Sequence, residues 1–168
     1  MAGLMLPSEG TVHLGTHELN VMSDVERSQL RRSTLGLIFQ KLNLLAHLTV
    51  SENVELAMPS SGDKVKRVAE ALARVNMTEF AQARTSILSG GEQQRVAVAR
   101  VLAQAPEIIL ADEPTSSLDD ENAAFVMNAL KNAAQGKTLL VVSHDDRLMK
   151  SFKDIRTIED LSAGKRPR

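Results

Sequence analysis

Apolar residues in this chain fall into two kinds of run. Leu35 to Phe39, Ile108 to Ala111 and Leu139 to Val142 are short and almost wholly apolar. Such runs read as buried strands, and Ile108 to Ala111 suits a parallel sheet covered on both faces. Elsewhere the spacing is helical. Val65, Val68, Ala69, Leu72 and Val75 mark one apolar face, and Val126, Ala129, Leu130 and Ala133 mark another, stopped by Gly136. Local signals set the helix starts. Ser23 with Glu26, Thr49 with Glu52 and Ser89 with Glu92 have capping-box spacing, and Asp63 can cap the helix that follows it. These place helices over Asp24–Arg32, from Thr49 to a stop at Pro59, and from Ser89 to about Ala105, before Pro106.

The ends complete the pattern. Met1 to Gly10 reads as a helix end running into a turn, Thr11 to Leu14 as a strand turned by Gly15. A short helix is expected from Asp145 and a last strand near Ile155 to Ile158, with a frayed tail over 165–168. Strands alternating with helices predict α/β architecture with a mainly parallel sheet. There is no internal repeat and no low-complexity segment.

Composition narrows the function classes. The 168 residues suffice for one compact domain, and 43% hydrophobic with 24% charged residues is a globular balance. Twenty basic against 21 acidic residues give a net charge of −1, which does not describe a nucleic-acid surface. Four Phe, with no Trp or Tyr, leave few faces for stacking bases. The absence of Cys excludes disulfides and thiolate metal sites and fits the cytosol. No apolar run approaches membrane-spanning length, and no secretory leader is visible. Work at a membrane would need another chain to span it.

Three stretches carry candidate chemistry. In Leu88-Ser89-Gly90-Gly91-Glu92-Gln93-Gln94-Arg95, two glycines open a helix whose free N–H groups and positive end favour a phosphate. The same residues also make an ordinary capped helix. Ile108-Ile109-Leu110-Ala111-Asp112-Glu113-Pro114 ends an apolar strand on two carboxylates. Parallel sheets bind ligands at that end. An aspartate there can hold Mg²⁺ and a glutamate can polarise water, although a polar strand end before a proline turn is the plainer alternative. His144 and Gln40 each follow a strand and could face a phosphate or an attacking water, or be ordinary hydrogen-bonded residues. Ser116-Ser117-Leu118-Asp119 could be a turn and helix cap alone.

Taken together, and in this order and spacing, Gln40, LSGGE, ILADEP, SSLD and His144 resemble the ABC ATPase family. The resemblance runs from Met1 to about Gly164. It implies a P-loop NTPase (RecA-like) fold with an inserted helical subdomain. Residues 1–47 would be the remnant of the N-terminal lobe with the Q-loop, 48–88 the helical subdomain, and 89–164 the core carrying the signature, the metal-side aspartate, the D-loop and the switch histidine. It further implies ATP and Mg²⁺ as cofactors. Gln40 would sense the metal and the attacking water. Ser89, Gly90, Gly91 and Glu92 would clasp ATP held by a second ATPase subunit; the family normally has Gln at the last of these. Asp112 would be the metal-side carboxylate, Glu113 the catalytic base, Asp119 the residue acting across the dimer interface, and His144 the switch histidine. The helical subdomain would receive an integral membrane permease, which puts the protein on the cytoplasmic face of the membrane. Residues Leu30 to Met58 look most like the ATPases of lipoprotein-release and macrolide-export systems.

One family element is missing. The phosphate loop, G-x-x-x-x-G-K-[ST], does not occur. Gly136-Lys137-Thr138 fails the pattern, because its first glycine would fall on Lys131 and because it leaves a helix and enters a strand, the reverse of what the loop requires. In the family, text like Ala2 to Pro7 lies just after that loop. The expectation is a chain lacking its N-terminal strands and phosphate loop, and inactive by itself. A non-catalytic relic or interaction module keeping the fold is the alternative, as is a non-transport ABC ATPase.

Overall fold

Capping chemistry written locally in the sequence fixes the helix starts. The computed structural model describes residues 3–58, 62–149, 151–157 and 159–160. All three capping boxes form. They start α1 (Asp24–Thr34), α2 (Val50–Glu55) and α4 (Gly90–Gln104). Asp63 caps α3 (Lys64–Ala73), and Asp119 caps α5 (Asp120–Ala133). A short α6 covers Asp146–Met149. Helix α2 ends at Glu55, ahead of Pro59, which lies outside the described residues, as do Met1, Ala2 and the tail 161–168.

The strands divide into two sheets. The segment expected as a strand over Thr11–Leu14 is ordered over His13–Leu14 as β1, which pairs with β2 (His17–Glu18) in an antiparallel hairpin about Gly15. The main sheet contains β3 (Leu35–Ile38), β4 (Ile108–Asp112) and β5 (Thr138–Val142), all parallel, in the order β3-β4-β5. Leu35 is opposite Ile108, and Ile108 is opposite Thr138. Parallel pairing forces a crossover each time: α2, α3 and α4 lie between β3 and β4, and α5 lies between β4 and β5.

Helix α4 is the hub. Val96, Ala97, Val98, Ala99, Val101, Leu102 and Ala103 are all buried, so it is apolar around most of its circumference, as a central helix must be. It packs on α2 and α3, on β3 and on α5. Gly36 permits the β3 contact. A Cβ there would lie 2.6 Å from Pro106 Cγ and 2.7 Å from Val101 Cγ1, too close for any side chain without a shift.

Three expectations need correction. The apolar face of α3 is Val68, Ala71, Leu72 and, just beyond it, Val75, whereas Val65 and Ala69 are exposed. Val65 sits in the first turn of α3 and is 82% exposed. Strand β5 is not buried on both faces: Thr138, Leu140 and Val142 are exposed, and among the described residues β5 pairs only with β4. Finally, Ile155 to Thr157 is not a strand, since no ladder partner reaches it; Ile158 lies outside the described residues.

Candidate active site

Because β3, β4 and β5 are parallel, their C-terminal ends share one edge. Gln40 follows β3, Asp112 closes β4 with Glu113 next, and Ser143 and His144 follow β5. Glu113 is the most constrained of these. Its amide donates to Val142 O at 2.9 Å, carrying the β4–β5 pairing one residue beyond the strand. Its φ of +49° is left-handed, a conformation that costs energy for a side chain bearing a Cβ and that tends to occur where function requires it.

The Glu113 carboxylate accepts three hydrogen bonds. Ser143 Oγ donates to Oε2 at 2.8 Å, the His144 amide donates to Oε1 at 2.9 Å, and His144 Nδ1 is 2.6 Å from the same oxygen. Burial pushes this carboxyl up, but the Ser143 hydroxyl, the His144 ring and the His144 amide outweigh it and hold Glu113 below its ordinary range. The pair is asymmetric. The Glu113 side chain is 12% exposed and that of His144 is 85% exposed, so a sheltered base is joined to an open imidazole. That arrangement can hold a water on the solvent side and accept a proton from it.

A second network braces this one. Thr115, fully buried, donates to Asp145 Oδ2 at 3.1 Å, and the Asp145 amide donates to Ser143 Oγ at 3.1 Å. Arg147 grips Asp145 through Nε and Nη2 and reaches Asp120 at the start of α5. The loop after β4, the loop after β5 and the first turn of α5 are thereby tied together. The Arg147 guanidinium brings Asp145 down to about 2. A depressed carboxyl contributes stability that is fully present above its unfolded-state value, near 4, and that is lost as pH falls through about 2. Asp145→Asn is therefore expected to destabilise the protein at neutral pH, and its stability should fall less than that of the parent between pH 4 and 2. Parallel acid-unfolding curves for the two would contradict this.

Asp112 and Gln40 are exposed, and neither side chain makes a hydrogen bond among the described residues. They stand at neighbouring strand ends, two oxygen-bearing groups in the open. The signature forms a separate unit. Ser89 Oγ donates to Glu92 Oε2 at 2.8 Å, as does the Ser89 amide, and this bonding lowers the Glu92 pKa. A Cβ on Gly91 would lie 3.2 Å from Leu118 Cδ2, so the start of α4 rests closely on the Ser116–Asp119 loop. Asp119 accepts from the Asn122 amide and side chain, and Asn122 Oδ1 accepts from Arg95 Nη1 at 2.8 Å, joining α4 to α5. No hydrogen bond links the signature to Glu113 or His144 among the described residues. The structure thus groups Glu113 with His144, and Ser89–Glu92 with Asp119.

Sequence reasoning gave no role in the site to Ser143, Thr115, Asp145, Arg147, Arg95 or Asn122. Asp145 and Arg147 carry a readable local signal, a side chain that accepts from the amide two residues on. The Thr115 and Arg95 contacts join residues 27 to 30 positions apart and carry no local signal.

Among the described residues, no helix is long and apolar enough to cross a membrane, and no cluster of three metal-ligating side chains occurs. The family model for ABC transporter matches residues 1–116. An uncharacterized ABC transporter ATP-binding protein, MJ0796 of Methanocaldococcus jannaschii, is 40% identical over 164 residues, covering 92% of this chain and 70% of that protein. The lipoprotein-releasing system ATP-binding protein LolD of Nitrobacter winogradskyi is 41% identical, covering 88% and 67%. The macrolide export ATP-binding/permease protein MacB of Burkholderia thailandensis is 38% identical over 92% of this chain, but over only 24% of its own length. A solved dimeric post-hydrolysis state of the MJ0796 cassette, bound to ADP and Pi, superposes with a TM-score of 0.80 at 40% identity, covering 86% of this chain and 66% of that one. This chain therefore belongs to the ABC transporter ATP-binding family, a family of ATPases, and its α/β fold is that of an ABC cassette.

Proposed function

We propose that this chain is the ATP-binding and ATP-hydrolysing part of a transporter, energising a separate membrane permease of the export or lipoprotein-release type. The observation that carries the reading is Glu113, a carboxylate kept ionised in a sheltered position at the end of the central parallel strand. Likeness to LolD and MacB supports the type of system.

Each residue then has a task. Glu113 orients water and takes its proton. His144, open to solvent, holds the γ-phosphate and that water in line. Ser143 keeps the Glu113 carboxylate aimed. Asp112 and Gln40 offer oxygen donors only, without a protein cage, which fits Mg²⁺, an ion that keeps most of its waters. When bound, the ion would neutralise charge developing on the phosphate oxygens. Residues 48–88 receive the permease. No G-x-x-x-x-G-K-[ST] occurs in the 168 residues, so the backbone cradle for the β- and γ-phosphates must be supplied by a phosphate-loop segment outside them.

The signature sets the assembly. Ser89 to Gly91 make no hydrogen bond to Glu113 or His144 among the described residues, and the amides of Gly90 and Gly91, in the first turn of α4, serve ATP held by a second copy. The dimeric MJ0796 cassette is consistent with that arrangement. With a strand and phosphate loop placed ahead of Met1, the Glu113→Gln chain is expected to double in mass on adding ATP, as read by light scattering after gel filtration. An unchanged mass at saturating ATP would count against the reading.

A further inference from the structure

Arg147 takes no part in the mechanism proposed above. It stands in the short helix α6, just after the loop that carries Ser143 and His144. Its guanidinium engages two carboxylates at once. Nε donates to Asp145 Oδ1 at 2.8 Å and Nη2 to Asp145 Oδ2 at 2.6 Å, while Nη1 donates to Asp120, the first residue of α5. The Asp145 side chain is 13% exposed and that of Asp120 is 90% exposed. A pair as open as Arg147 and Asp120 adds little to stability. Its geometry still matters, because α5 is a rigid support, with Ala123, Val126, Met127 and Leu130 buried.

From Asp145 the contacts run inward to the base. The Asp145 amide donates to Ser143 Oγ at 3.1 Å, and Ser143 Oγ donates to Glu113 Oε2 at 2.8 Å. A hydroxyl has one proton, so a Ser143 oxygen that accepts from the Asp145 amide directs that proton at Glu113. The place of the Asp145 backbone therefore sets the direction in which Ser143 donates. Two contacts fix that place relative to the segment after β4. Thr115 holds Asp145 by one bond to Oδ2, about which the carboxylate can still turn. The guanidinium fork takes both oxygens, fixes the plane of the carboxylate, and ties it to α5 through Asp120.

We infer that Arg147 is a positioning residue for hydrolysis: anchored on α5 through Asp120, it holds Asp145 so that Ser143 keeps the Glu113 carboxylate aimed at the attacking water. The inference rests on the reading of Glu113 as the base, and it adds a residue that acts on Glu113 through two others.

Two measurements test it. In the 168-residue chain, NMR shifts of the Ser143 and His144 amides report the loop. Arg147→Ala and Asp120→Ala should each move them. Asp120→Ala should add nothing once Arg147 is gone, because it acts through Arg147. In the chain carrying a strand and phosphate loop ahead of Met1, Arg147→Ala should lower kcat by about tenfold, inside the roughly 10²-fold that a misplacement of about 1 Å can cost. KM for ATP should stay within about twofold, and the ATP-dependent doubling of mass should remain. Asp120→Ala, an exposed change that spares the core, should lower kcat by a smaller factor at an unchanged urea midpoint. Arg147→Lys should recover part of the loss, since an ammonium cannot clasp both oxygens of Asp145 and also reach Asp120. A merely structural role would lower the urea midpoint and leave kcat per folded molecule unchanged. That result would overturn the proposal, as would unmoved Ser143 and His144 amides in Arg147→Ala, or losses from the two alanine variants that multiply in the double variant. A parent chain that doubles in mass with ATP but shows no Glu113-dependent turnover would remove the reading of Glu113 as the base, and this inference with it.

Discussion

Replacing Glu113 by glutamine, in the chain carrying a phosphate loop ahead of Met1, is expected to lower ATP turnover by roughly 10²-fold or more, the scale of general-base catalysis. ATP affinity should change far less, because the loop and the metal supply most ground-state binding. Glutamine preserves the size of the side chain and can still accept from Ser143 or the His144 amide, but it cannot take a proton from water. The pH profile adds a second readout. Since the Ser143 and His144 donors overcome burial and hold Glu113 below its ordinary range, the base is competent above that lowered value and is lost as pH falls through it. Ser143→Ala should therefore move the acid limb of kcat to higher pH. An acid limb unmoved by Ser143→Ala, or turnover retained in Glu113→Gln, would remove Glu113 from the role given to it.

The second large effect is on stability. Ile109 is fully buried in β4, with β3 on one side and β5 on the other. Ile109→Ala should cost about 2–5 kcal/mol, the range for deleting a buried aliphatic side chain and leaving a cavity. Leu140, on β5, is 37% exposed, and Leu140→Ala should cost about 1 kcal/mol or less. Urea midpoints at a common slope would measure both. Equal losses would mean that β5 is as enclosed as β4, which contradicts the exposed Leu140 and Val142.

That contrast marks where sequence reasoning reached and where it stopped. Leu139-Leu140-Val141-Val142 is as apolar as Ile108-Ile109-Leu110-Ala111, and the apolar run alone assigned both to the interior. What separates them is the number of neighbouring strands, a property of topology that no local window holds. Capping boxes were legible because donor and acceptor lie three residues apart. The apolar face of α3 was legible in its period but not in its extent, since Val65 has the right spacing and no neighbour to cover it. In the site, residue types and order pointed to Glu113 and His144 together. Their contact, the Ser143 hydroxyl that completes it and the Thr115–Asp145 brace behind it all depend on β4 and β5 being adjacent.

Magnesium-dependent phosphate release from the pure 168-residue chain, side by side with its Glu113→Gln form, measures whether hydrolysis runs through Glu113 and needs a phosphate loop from outside these 168 residues. The prediction is negligible release from both, with release appearing only when a strand and phosphate loop precede Met1 and Glu113 is intact. Sustained magnesium-dependent turnover by the 168-residue chain, unchanged by Glu113→Gln, would contradict both the need for the loop and the role of Glu113.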